Sequence, residues 1–211
     1  MSVLLISGSP ASPSRTARLA EWLARRLDDV QIANRLLHLR DLSPQALLGA
    51  DSAADDIAQA LLQVSQAQAV VIATPIYKAA YSGLLKSFLD ILPQQGLAGK
   101  LVLPLASGGS LAHLLALDYA LRPVLAALGA QQILPAVYAT EAQTNWTAAT
   151  GLQLNDELKQ RLQEALHHLR TELAWQKMRH ASALAATPDA VSYALAALPC
   201  RSGARANLVL V

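Results

Sequence analysis

Short apolar runs alternate with longer stretches of helical period along most of the chain. Ser2 to Ser7 reads as a first strand, and Ser14 to Leu27 as a helix with Leu19, Trp22, Leu23 and Leu27 on one face. Gln31 to Leu39 is a second strand, with Asn34 and Arg35 weakening its pattern. A loop or short helix then passes Pro44, and Ser52 to Gln66 is a helix leading into a third strand, Ala69 to Thr74. Leu84 to Leu92 is a helix ended by Pro93, and Lys100 to Ala106 is a fourth strand. Ser110 to Leu128 is a helix stopped by Gly129, Gln131 to Tyr138 a fifth strand, and residues 154–179 a long final helix with a polar face.

Apolar strands alternating with helices predict an α/β protein whose parallel sheet is covered on both faces. With right-handed crossovers, five strands fit the flavodoxin-like order 2-1-3-4-5. Ligands of such sheets bind beyond the carboxyl ends of the strands at the switch point, so the informative residues are expected after strands one, three and four. Residues 1–179 form one domain on this reading. The Ala-rich stretch 180–211, with Pro188, Pro199 and Gly203, is a tail that either moves freely or docks on a neighbour.

Composition narrows the function classes. The 211 residues suffice for one well-buried core. At 53% apolar and 15% charged, the chain is too apolar for disorder and suggests an oligomer that buries further surface. A net charge of +2 lacks the basic stripe of a nucleic-acid binder. Cys200 is the single cysteine, so no internal disulfide forms, and no Cys/His cluster has metal-ligand spacing, which fits a reducing, cytoplasmic setting. The opening MSVLLISGSP reads as a strand rather than a signal peptide, no apolar run reaches membrane-spanning length, and Asn145-Trp146-Thr147 is a chance glycosylation match.

Three loops carry candidate chemistry. After strand one, GSPASPSRT places Ser9, Ser14, Arg15 and Thr16 at a helix N-terminus, where free N–H groups, hydroxyls and a guanidinium suit a phosphate; Ser14 as a mere helix cap is the alternative, but one cap needs neither Arg15 nor so many adjoining hydroxyls. The stretch is neither a P-loop nor a GxGxxG turn. After strand three, Pro75, Ile76, Tyr77 and Lys78 offer backbone amides and aromatic surface to a flat ring, although Tyr77 and Tyr81 could simply pack. After strand four, Ser107, Gly108, Gly109 and Ser110 allow close backbone approach. Within the following helix Pro123 has no N–H for the Tyr119 carbonyl, which predicts a kink or a π-bulge there; Tyr119 is then either a functional residue or an interface residue at a structural kink. His113, His167 and His168 read as polar packing or solvent-facing residues.

GSPASPSRT, ATPIYKAAYSGLLKSFLD and LPLASGGSLAHLLALDYALRPVLAALGA, which cover most of residues 2–135, closely resemble the NAD(P)H-dependent FMN reductases of the flavodoxin-like superfamily, in particular the alkanesulfonate-utilisation group. The resemblance implies that Ser9, Ser14, Arg15 and Thr16 hold the FMN phosphate. It places Pro75, Ile76, Tyr77 and Lys78 along the isoalloxazine, with Ser107, Gly108, Gly109 and Ser110 on its other side. Tyr119 matches a tyrosine that in this group sits in a π-helix at a tetramer interface and is linked to flavin release. No catalytic side chain is implied: NADPH or NADH passes hydride to FMN, and FMNH2 goes to an FMNH2-dependent alkanesulfonate monooxygenase. Ala11 departs from the family, which often has arginine there. Two alternatives keep the fold: a reductase with bound FMN acting on quinones, azo compounds or metal oxyanions, and a flavodoxin electron carrier, which the +2 charge disfavours.

Overall fold

The computed structural model describes residues 2–185. The chain divides into two compact units, Met1–Ala174 and Trp175–Val211. Of the stretch 180–211, residues 180–185 are helical and the remainder lies outside the described residues, as does the question of a tail or a docking arm.

In the first unit, β1 (Ser2–Ser7), β2 (Ala33–His38), β3 (Ala69–Tyr77), β5 (Leu101–Gly108), β6 (Gln132–Ile133) and β7 (Val137–Thr140) form the main sheet. Its order is β2-β1-β3-β5-β6, with β7 also on β5, and all these pairings are parallel. The topology is the one the sequence predicts, with β6 and β7 together taking the place of the fifth strand. Between the strands run α1 (Arg15–Asp29), α2 (Pro44–Leu48), α3 (Asp55–Gln66), α4 (Gly83–Ile91) and α5 (Arg122–Ala127), and α6 (Asp156–Ala185) closes the described chain.

Alternate residues of each strand build two cores, as the period of two requires. Leu4, Ile6, Val70, Ile72 and Val102 pack with Ile57, Val64, Leu85, Phe88 and Leu125 from α3, α4 and α5. On the opposite face Val3, Leu5, Val71 and Leu103 pack with Leu19, Leu23 and Leu27 of α1 and with Leu158, Leu162 and Leu169 of α6. These apolar strands, buried on both faces, explain why the sequence shows continuous runs rather than alternation.

Three expectations need correction. The single fifth strand is broken between Ile133 and Val137. The Leu134 N–H reaches the Val102 carbonyl at 2.8 Å; two residues along β5, Pro104 faces the same neighbour and has no N–H to return. The third strand does not stop at Thr74 but runs to Tyr77, because β4 (Ala80–Tyr81) folds back on it as an antiparallel partner. The predicted helix Ser110–Leu128 is three pieces: a 3-10 turn at Leu111–His113, a π-helical turn at Leu117–Leu121, and α5. A hairpin of β8 (Thr144–Thr147) and β9 (Gly151–Leu154) had no counterpart in the sequence reading.

Phe88 is wholly buried between α4 and the sheet, so Phe88→Ala should lower unfolding free energy by about 3–5 kcal/mol in urea denaturation. Leu62→Ala, at a side chain 55% exposed on α3, should change it by less than about 0.5 kcal/mol.

Candidate functional site

The carboxyl ends of β1, β3 and β5 converge, and buried hydroxyls tie together the loops that follow them. Gly8, just after β1, donates its N–H to the Ala73 carbonyl at 2.8 Å. Its own carbonyl accepts from Ser82 Oγ at 2.5 Å, and the Ser82 N–H donates to Thr74 Oγ1 at 3.0 Å. Ser82 also caps α4 by accepting from the Leu85 N–H at 3.1 Å. A side chain at residue 8 would put its Cβ 2.8 Å from that of Leu85, so glycine allows the loop to lie this close to α4.

The mouth of α1 forms a cradle. Ser9 and Ser14 are buried, and Ser14 caps the helix by accepting from the Ala17 N–H at 3.1 Å. The N–H groups of Arg15 and Thr16, in the first turn, have no intrahelical carbonyl to reach. The Thr16 and Ser107 hydroxyls lie 2.6 Å apart, joining the loop after β1 to the end of β5. Arg15 Nη2 donates to Glu141 Oε1 at 2.7 Å, and from the outer side Arg40 Nη1 donates to the Ala11 carbonyl at 2.7 Å.

Beside the cradle, Pro75, Ile76 and Tyr77 end β3, and Lys78 and Ala79 make a tight turn with φ of 49° and 64°. Positive φ at both central residues suits the twist of a two-residue hairpin, but it strains residues that carry a Cβ. Tyr77 and Lys78 are exposed. Tyr81 is half-buried, and desolvation pushes its phenol up, partly offset by Lys86. Across the edge, a Cβ on Gly108 would fall 2.0 Å from Tyr138 Oη and 3.7 Å from the Ile76 Cβ, whereas a Cβ on Gly109 would meet nothing within 4 Å. Gly108 is thus packed from both sides, and the backbone at Gly109 is open. Tyr138 Oη donates to the Ser110 carbonyl at 2.8 Å; burial pushes this phenol up, which keeps it a donor. Ser110 Oγ accepts from the Ala112 N–H at 3.2 Å, which tightens the chain into a 3-10 turn instead of an α-helix.

The π-helical turn follows from Pro123. Tyr119 N–H still reaches back four residues, to the Leu115 carbonyl at 2.9 Å, but Arg122 N–H reaches back five, to Leu117. The proline then falls in the first turn of α5, where a missing N–H costs little. Tyr119 projects 78% exposed from this turn, which lies against β4.

The structure therefore brings together Ser9, Ser14, Arg15, Thr16, Pro75, Ile76 and Ser107–Ser110 along one edge. Tyr77 and Lys78 stand on the exposed hairpin tip, and Tyr119 lies on the neighbouring turn. Ser82, Tyr138 and Glu141 shape the same edge and were missed. Ser82 had a readable signal, a serine one residue before a helix; Glu141 follows the fifth strand, whose end was not considered.

An α/β domain with buried hydroxyls and free amides at a helix mouth beside an open glycine turn is the arrangement of a flavodoxin-like nucleotide or flavin binder. A family model described as NADPH-dependent FMN reductase matches residues 1–145. The chain belongs to that family and is an oxidoreductase. It is 46% identical over 143 residues to the FMN reductase (NADPH) of Escherichia coli, covering 68% of this chain and 75% of that protein. It is 40% identical over 175 residues to the FMN reductase (NADPH) of Pseudomonas putida, covering 82% and 89%. The solved apo structure of an NADH:FMN oxidoreductase superposes with a TM-score of 0.74 at 41% identity, covering 81% of this chain and 89% of that one.

Gly108→Ala should destabilise the protein by about 1–3 kcal/mol in chemical denaturation, because Tyr138 must move. Tyr138→Phe alone should cost about 1 kcal/mol for the lost hydrogen bond, and combining the two should cost less than their sum because the colliding hydroxyl is gone.

Proposed function

We propose that this chain uses NADPH or NADH to reduce FMN to FMNH2, and that it releases the product to a partner FMNH2-dependent alkanesulfonate monooxygenase. The observation that carries the reading is the α1 cradle, joined through Thr16 and Ser107 to the open turn at Gly109. Its small hydroxyls, first-turn amides and guanidinium suit a phosphate monoester, and the edge between the Pro75–Lys78 hairpin and the Ser107–Ser110 turn suits a flat ring.

Ser9, Ser14, Arg15 and the amides at the start of α1 would hold the phosphate. Thr16 would act mainly through its hydrogen bond to Ser107, which keeps the two loops in register. The hairpin and the glycine turn would position the ring, and amides at Lys78 and Gly109 would face charge that builds on it. Hydride transfer between nicotinamide and flavin is chemistry the two cofactors supply when bound. The protein's part is alignment and exclusion of water, with no side-chain nucleophile or proton donor.

Loose flavin binding and self-association complete the proposal. Leu111, Leu115 and Tyr119 are 59%, 57% and 78% exposed around the π-helical turn, an apolar surface that supports assembly into a homotetramer. Among the described residues no helix is long and apolar enough to cross a membrane, in keeping with a cytoplasmic enzyme.

The initial rate of NADPH oxidation, measured as FMN is titrated from none to excess, should rise and saturate with added FMN. A rate that ignores added FMN and depends on quinone would overturn the release step and identify flavin as a bound group. Tyr119→Ala should turn a protein purified colourless into one that carries flavin at near one per chain; a colourless variant of unchanged turnover would remove Tyr119 from flavin release.

A further inference from the structure

The guanidinium at the mouth of α1 is already engaged by a carboxylate. Arg15 Nη2 donates to Glu141 Oε1 at 2.7 Å, with the two side chains 32% and 70% exposed. Glu141 opens a 3-10 turn, Glu141–Gln143, directly after β7, so the strand that flanks β5 delivers it to the same carboxyl edge.

That turn is tied down on several sides. Thr140 and Gln143 form a reciprocal capping box, in which the Thr140 N–H donates to Gln143 Oε1 at 3.1 Å. Arg161 Nη2 donates to the same oxygen at 3.1 Å, and Gln143 Nε2 donates to Glu157 Oε2 at 3.2 Å. Just beyond, the Trp146 ring lies 3.6 Å from the Arg18 guanidinium, one helical turn along α1 from Arg15. The backbone that carries Glu141 is therefore fixed relative to α1.

Within the cradle, the positive charge of Arg15 is matched by the negative charge of Glu141, and residue 11 in the same loop is alanine. A phosphate monoester carries nearly two negative charges near neutral pH, so it both competes with the carboxylate for the guanidinium and is repelled by it.

We propose that Glu141 is an affinity-setting residue: it competes with the flavin phosphate for Arg15 and keeps the phosphate's contribution to binding small. The inference rests on the reading that the α1 cradle takes the FMN phosphate. It assigns weak flavin retention to an internal anion as well as to the region of Tyr119. Because the pair is partly exposed and open to screening, the effect on affinity is about three- to tenfold at low salt and shrinks as salt rises.

The test is an equilibrium titration of flavin fluorescence with FMN and, separately, with riboflavin, which lacks the phosphate. The proteins compared are the wild type, Glu141→Gln, Arg15→Gln and the double variant, each checked by its thermal melt. Glu141→Gln should lower the FMN dissociation constant about three- to tenfold, leave that of riboflavin unchanged, and lose most of its effect when Arg15 is also replaced. If the wild type prefers FMN to riboflavin but Glu141→Gln binds FMN no tighter, the competition is overturned while the cradle stands. Weaker FMN binding by Glu141→Gln also overturns it and makes Glu141 a positioning residue that orients Arg15 toward the phosphate. If neither the wild type nor Glu141→Gln prefers FMN to riboflavin, the cradle reading fails and the inference fails with it.

Discussion

Buried hydroxyl groups at one edge of the sheet are the constraint on which the rest depends. Ser9, Ser107 and Thr140 are buried at or just past the carboxyl ends of strands whose remaining residues are almost entirely apolar, and Thr74 is buried within the last stretch of β3 toward the same edge. An uncharged hydroxyl taken out of water must find a partner or destabilise the fold by about 1–3 kcal/mol. Thr16 meets Ser107, and Thr74 meets the Ser82 amide, so loops distant in sequence are drawn together before any ligand is considered. The same demand leads Tyr138 to the Ser110 carbonyl and leaves no room for a side chain at residue 108.

Local and nonlocal forces divide what could be read from the chain. β1 was legible to the residue and α1 nearly so, because a two-sided apolar run and a serine cap are local signals. The strand order was legible because right-handed crossovers leave few choices. The π-helical turn was one of two outcomes foreseen from Pro123, since a missing N–H must be accommodated nearby. The β3–β4 hairpin was not legible: Lys78-Ala79 lacks the Asn-Gly signature, and only tertiary context holds two non-glycine residues at positive φ. Of the candidate site, the cradle and the glycine turn could be found in the sequence as residue types. That Thr16 is engaged by Ser107, and Arg15 by Glu141, depends on separations of 91 and 126 residues, which no motif spans.

The site is rigid in its supports and open in its contacts. Ser82, Thr16 and Tyr138 direct their polar atoms inward to other loops, whereas Tyr77, Lys78 and the backbone of Gly109 face outward. On the proposed function, pre-ordered loops would favour alignment of two flat rings, and few committed charges would favour exchange of one flavin for the next. The proposed use of flavin as a substrate calls for both properties.

The break between Ile133 and Val137, where Pro135 stands, reaches beyond the local ladder. β6 and β7 stand at one border of the sheet, where a long straight strand would present a row of unpaired amides and carbonyls to any other extended chain. A two-residue strand, a break and a four-residue strand offer no such template. On the opposite border, β2 carries Asn34 and Arg35. Pro135, which holds that break open, thus helps keep this border of the sheet from pairing with another extended chain.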